Sequence, residues 1–202
     1  MISSLASVER SWTKWANMRG LDPAHVLSVI HGRRAIESAA MLRPDLDAND
    51  ELKLIEEIEC ADGEGVEVLP GVLELLKALP TDRWTVVTSA TGKLARTRLA
   101  MVGIPVPEQL ITADSVELGK PNPAPYLAGA AILGFAPESC VVVEDSASGV
   151  LAGEAAGCTV IATTFSHEAE DLKAAHYLVR DLTGVEVRAG ADGLELRFEP
   201  LR

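Results

Sequence analysis

Cys140-Val141-Val142-Val143-Glu144-Asp145-Ser146-Ala147-Ser148-Gly149 is the stretch on which the reading of this chain turns. It opens with an unbroken apolar run that does not alternate with polar residues, which is the pattern of a strand covered on both faces. Two carboxylates end the run. Small residues follow, and a helix is expected over 148–156, stopped by Gly157. A covered strand that ends in acidic residues just before a helix belongs in a parallel α/β sheet, where ligands sit at the carboxyl ends of strands.

The neighbouring sequence repeats this rhythm. Strands are expected at Trp84–Thr88, Gln109–Thr112, Thr159–Thr163 and His176–Val179, with helices at Val72–Ala78, Lys93–Val102 and Pro125–Leu133 between them. Alternation of this kind implies a doubly covered, Rossmann-like parallel sheet with helices on both faces. The tail differs: 184–188 and 194–198 alternate around Gly190-Ala191-Asp192-Gly193 and predict a β-hairpin. Upstream, residues 3 to 60 read as helix after helix, with Val8, Trp12 and Trp15 at helical spacing, Pro23 starting a second helix behind Asp22, and Asn49–Ile58 a further one. Met1, Ile2 and the two serines after them give no strand signal. The chain therefore divides into a helical block, 3–65, and an α/β core, 66–202.

Bulk properties narrow the partners. Of 202 residues, 48% are apolar and 4% aromatic, so the core must be aliphatic. The net charge of −12 argues against nucleic acid, whose affinity rests on Lys and Arg at phosphates. Cys60, Cys140 and Cys158 form no CxxC pair and read as reduced thiols of a cytoplasmic protein. No apolar run approaches the ~20 residues of a membrane span, and no signal peptide opens the chain.

Chemistry is expected beyond the strand ends. After Val87 comes Thr88-Ser89-Ala90-Thr91-Gly92-Lys93, where a hydroxyl beside a helix N-terminus suits an anion; a helix cap is the other reading. Glu144 and Asp145 repel each other unless a cation or proton offsets them, and their oxygens suit Mg²⁺; the other reading makes one a cap and the other solvated. In Gly119-Lys120-Pro121-Asn122-Pro123 the prolines stiffen the turn that aims Lys120, which can neutralise a phosphate or a carboxylate.

A serine after one strand, a lysine in a GKPxP turn and an ED pair after the next strand together resemble the second, third and fourth motifs of the haloacid dehalogenase superfamily. Leu69-Pro70-Gly71, Ile111-Thr112-Ala113-Asp114, Pro125-Tyr126-Leu127 and Ala155-Ala156-Gly157 extend the likeness over most of the chain. It is similar above all to the cap-bearing phosphatases of sugar and polyol phosphates. The resemblance implies an Mg²⁺-dependent phosphomonoesterase acting on a small phosphorylated metabolite, as a monomer or homodimer. Ser89 and Ala90 would hold the phosphoryl group, Lys120 would offset its charge, and Asp145 with Glu144, directly or through water, would hold the metal. Asn122 joins the substrate set. The helical block would be the cap, with His31 and Arg33 of His31-Gly32-Arg33-Arg34 reading the substrate. A phosphomutase or a non-catalytic phosphosugar-binding protein would carry the same motifs.

The family's first motif, an apolar strand ending in DxDG with the nucleophilic and acid/base aspartates, does not occur in this sequence. By resemblance Met1 stands about where that motif ends. Asp45-Leu46-Asp47 has the spacing, but it follows Arg43-Pro44 and fits a helix cap instead. The central strand of the sheet is thus expected to be absent and the chain alone to be nearly inactive. A segment ahead of Met1, a strand from another chain or the terminal hairpin would fill the gap; otherwise the chain is a remnant.

Overall fold

Four helices follow one another before the α/β pattern begins. The computed structural model describes residues 1–30, 33–190 and 193–201. After β1 (Ile2–Ser3) come α1 (Leu5–Arg19), α2 (Pro23–Ile30), α3 (Ala35–Leu42) and α4 (Ala48–Ala61). Local chemistry sets their ends. Gly20 takes φ 66° and its N–H bonds back to Ala16 and Asn17, a left-handed stop that suits glycine. Asp22 accepts from the Ala24 amide at 3.2 Å and Pro23 opens α2. Asp47 caps α4 by accepting from the amides of Asn49 and Asp50, while Asp45 pairs with Arg43. Asp45-Leu46-Asp47 is therefore spent on local structure. Trp12, Trp15, Val26, Ile30, Ala39 and Ile55 bury one shared apolar face among these helices. Within it the Trp15 Nε1–H donates to Glu51 at 2.7 Å, and Arg19 pairs with the same carboxylate at 2.7 Å.

β2 (Glu67–Val68) pairs antiparallel with β1, Ile2 opposite Val68. No strand is expected at Ile2; it forms one because the chain returning from α4 offers it an open edge. Then follow α5 (Val72–Ala78), α6 (Gly92–Met101), α7 (Ala124–Leu133), β3 (Val141–Glu144), α8 (Ala147–Ala155), β4 (Thr159–Thr163), β5 (Tyr177–Val179), β6 (Glu186–Gly190) and β7 (Gly193–Arg197).

β3, β4 and β5 form a parallel sheet in that order, with Val142 opposite Val160 and Ile161 opposite Tyr177. Successive residues of β4 feed opposite faces, as the pleat requires. Ile161 joins Val72, Leu75, Val86, Leu99 and Val179, whereas Val160 and Ala162 join Val142, Val150, Leu172 and Leu178. Fully burying one such Val or Leu side chain is worth about 1.5–3 kcal/mol. Both faces are thus covered, which explains why these strands show no alternation.

Two expected strands are reduced. Trp84–Thr88 and Gln109–Thr112 meet at a single parallel bridge, Val87 to Ile111, held by Ile111 N–H to Val86 O at 2.8 Å and Thr88 N–H to Ile111 O at 2.9 Å. Among the described residues no backbone hydrogen bond joins this segment to β3, so it lacks the second ladder that would extend it. The hairpin β6–β7 pairs only with itself and packs on α5 through Val187, Leu196 and nearby Phe198. The expectation that it could fill a gap in the sheet is corrected: its apolar face is occupied in covering α5.

The helical layer meets the core along α4 and α6. Thr91 donates to Glu56, Lys93 pairs with Glu56 at 3.1 Å, and Arg98 pairs with Glu59 at 3.1 Å. No described helix is long and apolar enough to cross a membrane.

Candidate active site

The carboxyl end of β3 delivers Glu144 and Asp145 side by side, and the structure gives them different tasks. Glu144 Oε1 accepts from Lys120 Nζ and from the Tyr126 hydroxyl. Its Oε2 accepts from the Asp145 amide at 3.0 Å and from the Ser146 amide and hydroxyl at 3.1 and 2.9 Å. Five donors surround one carboxylate. Burial pushes this carboxyl up, but the Lys120 ammonium and the hydroxyl and amide donors outweigh it and hold it at about 2. Tyr126 is pushed the other way, well above its ordinary value, by burial and by the Glu144 charge.

Neighbouring residues make this possible. Ser146 caps α8 by accepting from the Gly149 amide at 3.1 Å while its own proton goes to Glu144. Gly149 must lack a side chain, because a Cβ there would stand 2.1 Å from Glu144 Cδ. Lys120 also donates to Val87 O at 3.3 Å and lies 4.8 Å from the Tyr126 ring centre. One lysine thereby ties the end of the 84–88 segment to the end of β3.

Asp145 stays available. Its Oδ2 accepts from Ser166 Oγ at 2.7 Å, and among the described residues its Oδ1 has no partner. It lines a cavity of about 290 Å³ with Met1, Val143, Thr164, Phe165 and Arg180. The amino nitrogen of Met1 is buried there; burial lowers its pKa, while Asp145 and Glu144 oppose that and Lys120 adds to it.

The expected residues thus separate. Lys120, Glu144 and Asp145 converge. Ser89 sits half-buried two residues beyond Val87, and its hydroxyl has no partner among the described residues; Thr91, not Ser89, caps α6 by accepting from Leu94 N–H at 3.3 Å. The Ala90 amide is already given to Thr88 Oγ1 at 3.2 Å, so the expectation that it grips a ligand needs that bond to open. Asn122 Oδ1 accepts from Ala124 N–H at 2.9 Å and starts α7. Arg33 is exposed, and His31 lies outside the described residues. Both Glu144 oxygens accept from protein donors here, whereas among the described residues Asp145 Oδ1 has no hydrogen-bond partner.

Sequence reasoning missed three groups. Arg34 reaches from the helical layer to Val116 O at 3.3 Å and lies against Gly119. Tyr126 stands in the Pro125-Tyr126-Leu127 likeness, which assigns it no role at the site. Ser166 and His167 had no signal beyond following β4.

A hard divalent cation takes one or two protein carboxylates and completes its shell with water and phosphate oxygens. The single open oxygen of Asp145 fits one such position. Among the described residues no three His, Cys, Asp or Glu side chains gather to form a self-sufficient metal cage.

A family model described as haloacid dehalogenase-like hydrolase matches residues 6–157. Hexitol phosphatase A of Escherichia coli is 40% identical over 198 residues, covering 96% of this chain and 92% of that protein. Glycerol-1-phosphate phosphohydrolase 2 of Saccharomyces cerevisiae is 37% identical over 195 residues, covering 88% of this chain and 78% of its own length. A crystal structure of CbbY from Rhodobacter sphaeroides in complex with phosphate superposes with a TM-score of 0.79 at 21% identity, covering 91% of each chain, a likeness of fold.

Proposed function

Because the chain belongs to the haloacid dehalogenase-like hydrolases, we propose that it is a phosphatase of a small polyol or sugar phosphate. It uses Mg²⁺ and an aspartate nucleophile that residues 1–202 do not themselves supply. The observation that carries this reading is that Lys120 pairs with Glu144 at the end of β3, where Glu144 and Asp145 line a cavity together with Met1. The named activities of the related hexitol and glycerol-1-phosphate enzymes support the substrate class.

The metal, when bound, neutralises charge on the phosphoryl oxygens. Asp145 would hold it, through the carboxylate oxygen that has no other partner among the described residues. Ser89 donates its free hydroxyl to a phosphoryl oxygen. Lys120, anchored by Glu144, offsets negative charge without being free to swing away. The attacking aspartate would take the phosphoryl group as the ester P–O bond breaks and the second aspartate of the DxDG segment protonates the departing alcohol oxygen; water, giving its proton back to that second aspartate, would then attack the acyl phosphate and release phosphate. Electrostatic positioning of this kind carries most of the catalysis in phosphoryl transfer. Residues 3–65 serve as the cap, with His31 and Arg33 meeting the polyol.

The test joins a strand ending in DxDG to Met1 and measures Mg²⁺-dependent phosphate release from sorbitol 6-phosphate and glycerol 1-phosphate. Turnover is expected from the extended chain and almost none from residues 1–202. Equal turnover from both chains contradicts the borrowed nucleophile, and none from either contradicts the phosphatase reading.

A further inference from the structure

The loop after β4 carries a hydrogen-bonded series that nothing in the proposed chemistry uses. Ser166 Oγ lies 2.7 Å from Asp145 Oδ2 and 2.8 Å from Asp145 O, and His167 Nδ1 lies 2.9 Å from the same Oγ. A serine hydroxyl has one proton. Both Asp145 oxygens are acceptors, so that proton is shared between them. His167 Nδ1 must then carry hydrogen and donate to Oγ. The direction runs from His167 through Ser166 to Asp145, and Ser166 clamps the aspartate at its backbone and its carboxylate together.

We propose that Ser166, oriented by His167, is a positioning residue that fixes the Asp145 carboxylate so that Oδ1 faces the cavity. This rests on Asp145 being the metal ligand of the phosphatase reading. The physical reason is rotamer selection. Among the described residues only one of the two Asp145 carboxylate oxygens has a hydrogen-bond partner, and without Ser166 no such bond holds its torsions. A ligand that must be ordered on binding loses affinity for the cost of ordering it. Glu144 has no need of such help, since five donors already hold it.

The test is Mn²⁺ binding to the full-length protein, read by the electron paramagnetic resonance signal of free Mn²⁺, with thermal unfolding of the metal-free protein alongside. Asp145→Asn should abolish binding. Ser166→Ala should weaken it about 10-fold or more, within the range for outer-shell partners of metal ligands. Ser166→Thr, which keeps the hydroxyl, should restore most of it, and His167→Phe should weaken it by a smaller factor. Melting temperatures should stay within the spread of wild type; if the alanine variant does not fold, Ser166→Cys reads the same loss of donor. Unchanged affinity in Ser166→Ala beside loss in Asp145→Asn overturns this inference and leaves the phosphatase reading standing. Equal weakening by alanine and threonine also overturns it. No binding by wild type, or binding that survives Asp145→Asn, overturns the metal-ligand assignment itself.

Discussion

Lys120 Nζ and Glu144 Oε1 form an ion pair in which each side chain is only 8% exposed. They come from different parts of the chain, one from the turn before α7 and the other from the end of β3. Neither charge has much water to fall back on. The pair therefore acts as the fixed point from which Val87, Tyr126 and the start of α8 are positioned.

Removing one partner should cost far more than removing both. Glu144→Gln leaves the Lys120 ammonium buried without a counter-charge, a change of about 3–5 kcal/mol in such pairs. Lys120→Met does the converse. Urea unfolding at pH 7 should show the double variant losing less than the sum of the two single losses. Simple additivity would mean that the two groups do not act on each other.

Acid should reveal the same pair. The folded state holds the Glu144 carboxyl at about 2, below its ordinary 4.5. As pH falls the unfolded chain takes up this proton first, so the stabilisation is complete above about pH 4.5 and is lost as pH falls towards about 2. Urea midpoints between pH 6 and pH 2.5 should fall less steeply for Glu144→Gln than for wild type. Parallel curves would assign acid lability to other carboxyls.

Gly149 and Gly157 should respond differently to the same substitution. An alanine Cβ at 149 would meet Glu144 Cδ at 2.1 Å, whereas at 157 nothing lies within 4 Å although φ is +83°. Gly157→Ala should cost about 1–2 kcal/mol, the penalty of a left-handed conformation. Gly149→Ala must displace the Glu144 carboxylate and should lose about as much as breaking its ion pair, about 3–5 kcal/mol. Thermal melts of the two variants compare them directly.

The link between α4 and α6 should also titrate. Burial raises the Glu59 carboxyl, and Arg98 pulls against that rise. A folded pKa above the unfolded 4.5 means stability falls as pH rises from there through the folded value. Arg98→Leu removes the opposing charge, so the fall should steepen and extend to higher pH, with a loss of about 3 kcal/mol at pH 8. Adding Glu59→Leu should recover most of it. Equal pH slopes for wild type and Arg98→Leu would show the pair to be electrostatically idle.

Much of the fold is written in short-range patterns. Val72–Ala78 and Thr159–Thr163 fall where their residues indicate, and Ala124–Leu133 begins one residue early, its first amide donating to Asn122 Oδ1. Helix starts need only a Pro or a side-chain acceptor, and helix stops at Gly20 and Gly134 need only a residue tolerant of positive φ. The trio Lys120, Glu144 and Asp145 was legible because strand ends in a parallel sheet converge, whatever their sequence separation.

What the amino acids determined alone is the alternation of elements, the helix boundaries and the placement of polar groups after strands, because each follows from contacts a few residues apart. Tertiary structure alone decided three matters. It made Trp84–Thr88 a single bridge, since a strand exists only through its neighbours. It gave Glu144 to Lys120 and left Asp145 open, since two adjacent carboxylates are alike until distant donors choose between them. It brought Arg34 to Val116 and Ser166 to Asp145 across 82 and 21 residues, a choice that no local propensity encodes.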